Sequence, residues 1–77
     1  MDIMDTLTEK EYKIWFSRAL RRARKSRRHT QEDLSFYLSK LRPTISEWEN
    51  GIGLPSVYEF YLLQQLYGRA YFMPGQN

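Results

Sequence analysis

Between Glu9 and about Arg27, apolar residues return every three or four positions. Tyr12, Phe16, Ala19, Leu20 and Ala23 keep one face, with Trp15 at its edge. The pattern predicts a first helix of about five turns. A second is predicted from Gln31 to about Leu38, with Leu34 and Leu38 inward. Ser39-Lys40-Leu41 is too short for anything but a tight turn. A third helix is predicted from Arg42 or Pro43, since proline is tolerated where its missing N–H has no helical partner. It stops at Asn50-Gly51, and "GIGLP" reads as a loop. The fourth runs from Val57 to about Tyr67 and is closed by Gly68, with Val57, Phe60, Tyr61, Leu63 and Tyr67 expected inward. "RAYFMPGQN" adds one aromatic turn before a polar tail.

Three start signals support these elements. "TEKE", "TQED" and "SVYE" each place a hydroxyl three residues before an acid, beginning at Thr8, Thr30 and Ser56. The hydroxyl accepts from an orphan N–H of the first turn, and the acid reaches back. Asp33 is a shorter, weaker version of the glutamate in the other two. No strand pattern, internal repeat or low-complexity linker emerges. The expectation is a single domain over residues 1–77, with a short N-terminal extension and a polar C-terminal tail. Its fold class is all-α, a compact bundle of four to five helices containing a helix-turn-helix.

The third predicted helix has two unlike sides. Ile45, Trp48 and Glu49 fall inward, while Arg42, Pro43, Ser46, Glu47 and Asn50 fall outward. A glutamate on the inner side needs a partner, because burying a lone charge is costly. Arg24 lies on the otherwise apolar Leu20–Arg27 stripe of the first helix. The economical expectation is that Arg24 and Glu49 meet and fix the angle between the two helices.

Charge sharpens the picture. The net charge is +3, but "RALRRARKSRR" over residues 18–28 holds seven basic residues and no acid. The remaining five basic and nine acidic residues sum to −4. One strongly positive flank is therefore expected, suited to a polyanion. Cysteine is absent, and the single histidine, His29, has no companion for a metal site. His29 is expected to be a packed or half-exposed junction residue. No nucleophile–base pair follows from spacing, so neither an enzyme nor a cofactor is expected, and no small-molecule ligand is evident. No apolar run approaches the roughly 20 residues of a membrane span. The acidic N-terminus "MDIMDTLTEKE" lacks a signal-peptide layout, which fits a cytoplasmic protein.

From about Leu20 to Gly68 the sequence resembles the Cro/phage-repressor (XRE-type, lambda-repressor-like) helix-turn-helix family. The pieces that carry the resemblance are "LRRARK", "TQEDL" and "TISEWENG", then a proline followed by a capped helix. The resemblance implies a sequence-specific double-stranded DNA-binding transcription regulator, expected to be a repressor, that reads the major groove with helix 42–50. It also implies roles by position. Gln31 and Asn50 match phosphate-contacting positions, and Thr44 falls where a small hydroxyl often touches the backbone. Arg42, Pro43 and Glu47 fall at base-reading positions, with Ser46 on the same side. Arg24 and Glu49 match a buried ion pair of the family. The sequence departs from the family at Arg28 and Ser39, where glycine is usual, at Ser35, where alanine is usual, and at Gln64, where a small apolar residue is usual. Lys40 takes a position that is usually apolar, and Leu41 is expected to serve instead.

Each functional reading has a plainer rival. Arg21, Arg22, Lys25, Arg28 and Lys40 read as phosphate contacts; a solvated helix face is the alternative. Glu47 either accepts from cytosine N4 or is a surface acid that tolerates a nearby phosphate. Arg42 suits guanine, though first-turn arginines also reach phosphate. Tyr58, Phe60, Tyr61, Tyr67, Tyr71 and Phe72 exceed the needs of so small a core. They read as a homodimer interface through helix 4 and the C-terminal aromatics, or as core plus scattered surface residues. A protein-interaction module using that aromatic surface, such as an antitoxin or adaptor, is the alternative function. A basic helix lying on an anionic membrane fits less well, because its apolar side is needed for the core.

Overall fold

The computed structural model describes residues 6–74. Four helices follow in order: α1, Glu9–Ser26; α2, Gln31–Leu38; α3, Arg42–Glu49; α4, Val57–Tyr67. A short 3₁₀ turn, Arg69–Phe72, closes the described chain. There is no strand among the described residues, and the fold is an all-α helix-turn-helix bundle. The outermost parts of the expected N-terminal extension and polar tail, residues 1–5 and 75–77, lie outside the described residues.

All three hydroxyl–acid pairs close as capping boxes. Glu11 N–H donates to Thr8 Oγ1 at 3.1 Å and Thr8 N–H to Glu11 Oε1 at 2.9 Å. The Ser56–Glu59 pair on α4 repeats the arrangement. Asp33, expected to be a weak version, closes its box as fully, with Thr30 N–H donating to Asp33 Oδ2 at 2.8 Å. The shorter acid is no handicap, because the cap needs the carboxylate only one turn away.

The first three helices end alike. At each stop one left-handed residue turns the chain, and the next N–H reaches back over the last turn. His29 N–H donates to Arg24 O, Lys40 N–H to Ser35 O and Ile52 N–H to Glu47 O. The left-handed residues are Arg28 (φ 59°), Ser39 (φ 55°) and Gly51 (φ 75°). Only the last is a glycine. The two departures from the family pattern that fall at helix stops therefore sit where a Cβ is strained.

The core forms where α1 meets the rest. Phe16, Ala19, Leu20, Ala23, Leu34, Leu38, Ile45, Trp48, Leu63, Tyr67 and Phe72 are buried. Phe16 packs against Phe60 and Phe72, with centroids 5.9 and 5.7 Å away. Phe60 meets Phe72 edge-on at 5.6 Å. The C-terminal turn thus completes the core under α1, where the sequence suggested an aromatic turn available for a dimer interface.

Two expectations about inward residues fail. Val57 is 88% exposed and Tyr61 51% exposed, so neither belongs to the inner face of α4. Leu63 and Tyr67 take that face, with Phe60, Leu62 and Leu66 half-buried beside them. With only three polar positions among its eleven residues, the helix has no clear stripe to read. Leu41 does not replace the apolar residue missing at Lys40; it is 77% exposed. Lys40 instead spans to the start of α4, where Nζ pairs with Glu59 Oε2 at 2.6 Å.

Candidate nucleic-acid interface

α3 is eight residues, about 12 Å long. Its inner side is Ile45, Trp48 and Glu49, all buried. Arg42, Pro43, Glu47 and Asn50 are exposed on the other side, and Thr44 and Ser46 are half-buried. The split read from the sequence is the split in the structure. No side chain caps the N-terminal end. Little is left unmet there, because Pro43 has no N–H and Thr44 and Ile45 both donate to Leu41 O.

Glu49 is the anchor. It is 2% exposed, and its carboxylate accepts from three donors. Arg24 Nε lies 2.6 Å from Oε2 and Arg24 Nη2 3.0 Å from Oε1. Gln31 Nε2 donates to Oε1 at 3.0 Å. The Glu49 hydrogen bond raises the Arg24 guanidinium pKa above its ordinary value, against the opposing effect of burial. Arg24 Nη1 also donates to His29 O at 2.7 Å, which ties the α1–α2 junction into the same cluster. His29 Nδ1 lies 3.0 Å from Tyr67 Oη, extending the chain of polar contacts to the end of α4. No side-chain polar atom buried among the described residues is left without a partner. A polar recess of about 460 Å³ opens beside this cluster, lined by Arg24, His29, Thr30, Gln31, Glu32 and Arg42.

The other candidate residues divide. Arg22, Lys25 and Arg28 are exposed, as are Arg18 and Arg27. None of these five is ion-paired among the described residues. Helical spacing puts Lys25 one turn beyond Arg21, which reaches Glu49, and Arg22 about 100° further round from Arg21; Arg28 lies past the end of α1, at its left-handed stop. Asn50 turns its amide back on the helix: Nδ2 donates to Ser46 O at 2.8 Å and to Ser46 Oγ at 3.2 Å. Arg21, expected to be a free cation, donates through Nη2 to Glu49 O at 2.7 Å. Gln31 stands at the first position of α2 as expected, with one amide hydrogen committed to Glu49. Lys40 is committed to Glu59.

Of these contacts sequence reasoning reached only the Arg24–Glu49 pair, and three of those it missed are instructive. Arg21 precedes Arg24 by one turn, so its reach to Glu49 was open to inference once that pair was drawn. The His29–Tyr67 and Lys40–Glu59 contacts join distant segments, and no local pattern marks either one. Burial pushes the Glu59 carboxyl up, but Lys40 and the Ser56 cap outweigh it and hold its pKa below the ordinary range.

A short helix, pinned on one side and open on the other, follows a tight turn after α2. That is the layout of a helix-turn-helix that can enter a groove about 12 Å wide. A family model described as helix-turn-helix, of the Cro/C1 (XRE) type, matches residues 20–71. The match covers more than half of the 77 residues, and the chain belongs to this family of DNA-binding regulators. Neither the comparison with curated proteins nor that with solved structures finds a match.

Proposed function

We propose that the protein is a sequence-specific regulator of transcription, acting as a repressor, that reads duplex DNA with residues 42–50 in the major groove. One observation carries the proposal: the Arg42–Glu47–Asn50 side of α3 is open while a buried three-donor anchor at Glu49 fixes its angle. Arg42 would read guanine, with Pro43, Ser46 and Glu47 shaping the choice of neighbouring bases. Gln31 and Thr44 would hold phosphates, as would Asn50 on turning its amide away from Ser46. Lys25, Arg28 and Arg22 would add positive charge and long-range attraction. Among the described residues no helix is long and apolar enough to cross a membrane; the proposed site of action is the cytoplasm.

The exposed side of α4 supports a second element of the reading, a homodimer. Val57, Tyr58 and Tyr61 are exposed together, and the Tyr58 and Tyr61 rings stack at 6.3 Å. Two copies meeting there would present two α3 helices to half-sites roughly 34 Å apart. The other C-terminal aromatics contribute less to such a surface than the sequence suggested, since Tyr67 and Phe72 are buried and Phe60 and Tyr71 pack against the core.

Gel shifts with excess random competitor test the proposal. A selected duplex should survive competition that strips a scrambled one, and Tyr61→Glu should weaken binding to a two-half-site duplex but not to a half-site. Equal competition by every sequence would defeat the claim of specificity. A sedimentation profile unchanged by Tyr61→Glu would defeat the dimer through α4.

A further inference from the structure

The last four carbonyls of a helix have no partner within it. In α3 they are those of Ser46, Glu47, Trp48 and Glu49, half the helix. Three are met locally: Ser46 O by Asn50 Nδ2, Glu47 O by the N–H groups of Asn50 and Ile52, and Trp48 O by Gly51 N–H. The fourth, Glu49 O, is met from another helix by Arg21 Nη2 at 2.7 Å. Arg21 Nε also stands 3.8 Å from Glu49 Oε1.

We infer that Arg21 is a positioning residue for the recognition helix rather than one of the phosphate contacts. This rests on the proposal that α3 reads DNA. Arg21 and Arg24 are one turn apart on α1 and take Glu49 at different groups, one the backbone carbonyl and the other the carboxylate. The carboxylate clasp holds α3 through the Glu49 side chain. A second donor on the main chain tightens that hold at the end of the helix itself. The guanidinium also places positive charge at the negative end of the α3 dipole. The lever matters: tilting α3 by about 5° about its C-terminal end moves its far end by about 1 Å over its length of about 12 Å. Bidentate base contacts do not survive errors much beyond that. A donor already spent on Glu49 has correspondingly less to give to phosphate.

The test compares full-length Arg21→Ala, Arg21→Lys and wild type on a selected duplex and on random duplex, across a salt series. Arg21→Ala should weaken the selected duplex roughly tenfold, the size of one charge-assisted hydrogen bond. Random-duplex affinity and the slope of log K against log salt should stay the same. Arg21→Lys, which keeps a donor, should recover part of the selected-site affinity. Equal loss on both duplexes, with the slope falling by about 0.9, identifies a phosphate contact and overturns the inference. If wild type selects no sequence at all, the DNA reading itself has failed, and the role of Arg21 is judged in the free protein. There, Arg21→Ala should speed amide exchange at Asn50, Gly51 and Ile52, and unchanged exchange overturns it.

Discussion

Glu49 and Arg24 offer a test that separates stability from positioning. Glu49→Ala strands the Arg24 guanidinium at 9% exposure with no carboxylate beside it. Arginine cannot escape by losing its proton. Breaking a buried pair from one side costs about 3–5 kcal/mol. A chain of 77 residues has about 4–12 kcal/mol in total at typical per-residue stability. The single variant should therefore lose a large share of its folding free energy, from about a quarter to all of it. Removing both charges with volume roughly kept, in Arg24→Met/Glu49→Leu, should restore stability to within about 1 kcal/mol of wild type. Some cost remains, because the His29 carbonyl and the Gln31 amide each lose a partner, but both are only part-buried. Yet the double variant should bind its selected duplex at least tenfold more weakly, with random-duplex affinity nearly unchanged. Urea melts followed by tryptophan fluorescence and circular dichroism give the stabilities, and binding isotherms the affinities. If the double variant is as unstable as Glu49→Ala, the pair is a net source of stability. If it binds the selected duplex like wild type, the clasp does not set the angle of α3. Either result refutes the reasoning.

Three further outcomes are expected. Ser39→Gly and Arg28→Gly relieve left-handed strain of about 1 kcal/mol each, part of which is offset by extra chain entropy in the unfolded state. Each should raise Tm by about 2–4 °C in a thermal melt, and a lower Tm would show that the left-handed turn is not strained. Burial pushes the Tyr67 phenol up to about 12, so an ultraviolet pH titration should show one phenol ionising well above the ordinary value near 10. Its folded value lies above the unfolded one near 10, so this contribution is complete below pH about 10 and is lost as pH rises towards about 12. Glu59 behaves oppositely: its folded pKa is depressed, so its contribution is present above the unfolded value near 4.3 and is lost as pH falls through the folded one. Lys40→Met should shrink that acid-side loss in pH-dependent urea melts; an unchanged acid limb would remove Lys40 as its cause.

The helices were legible because their ends carry local chemistry. Thr8, Thr30 and Ser56 announce starts, and Gly51 and Gly68 announce stops, all within one turn of the residues they serve. The two sides of α3 were legible because eight residues with 3.6 per turn leave little freedom once Ile45 and Trp48 are placed inside. The Arg24–Glu49 pair could be read because each is the one charge on an inner stripe, and a stranded charge demands a partner. α4 was misjudged for the opposite reason: aromatic and aliphatic residues surround it, so no stripe distinguishes Val57 and Tyr61 from Leu62 and Leu66. Lys40 and Leu41 were misjudged because an acid nineteen residues away, at a helix cap, gave Lys40 a partner outside the core. Arg21 showed only as one cation in a run of seven, and its backbone target was invisible until α1 and α3 were seen side by side.

Selection of bound duplexes from a random library, run in parallel with wild type and Arg42→Ala, bears on α3 as a reader of bases. Wild type should enrich a defined site, and Arg42→Ala should enrich the same site with preference lost at one base pair and about 1–3 kcal/mol less affinity for the original. No enrichment by wild type, or the same preferences from both proteins, would contradict it.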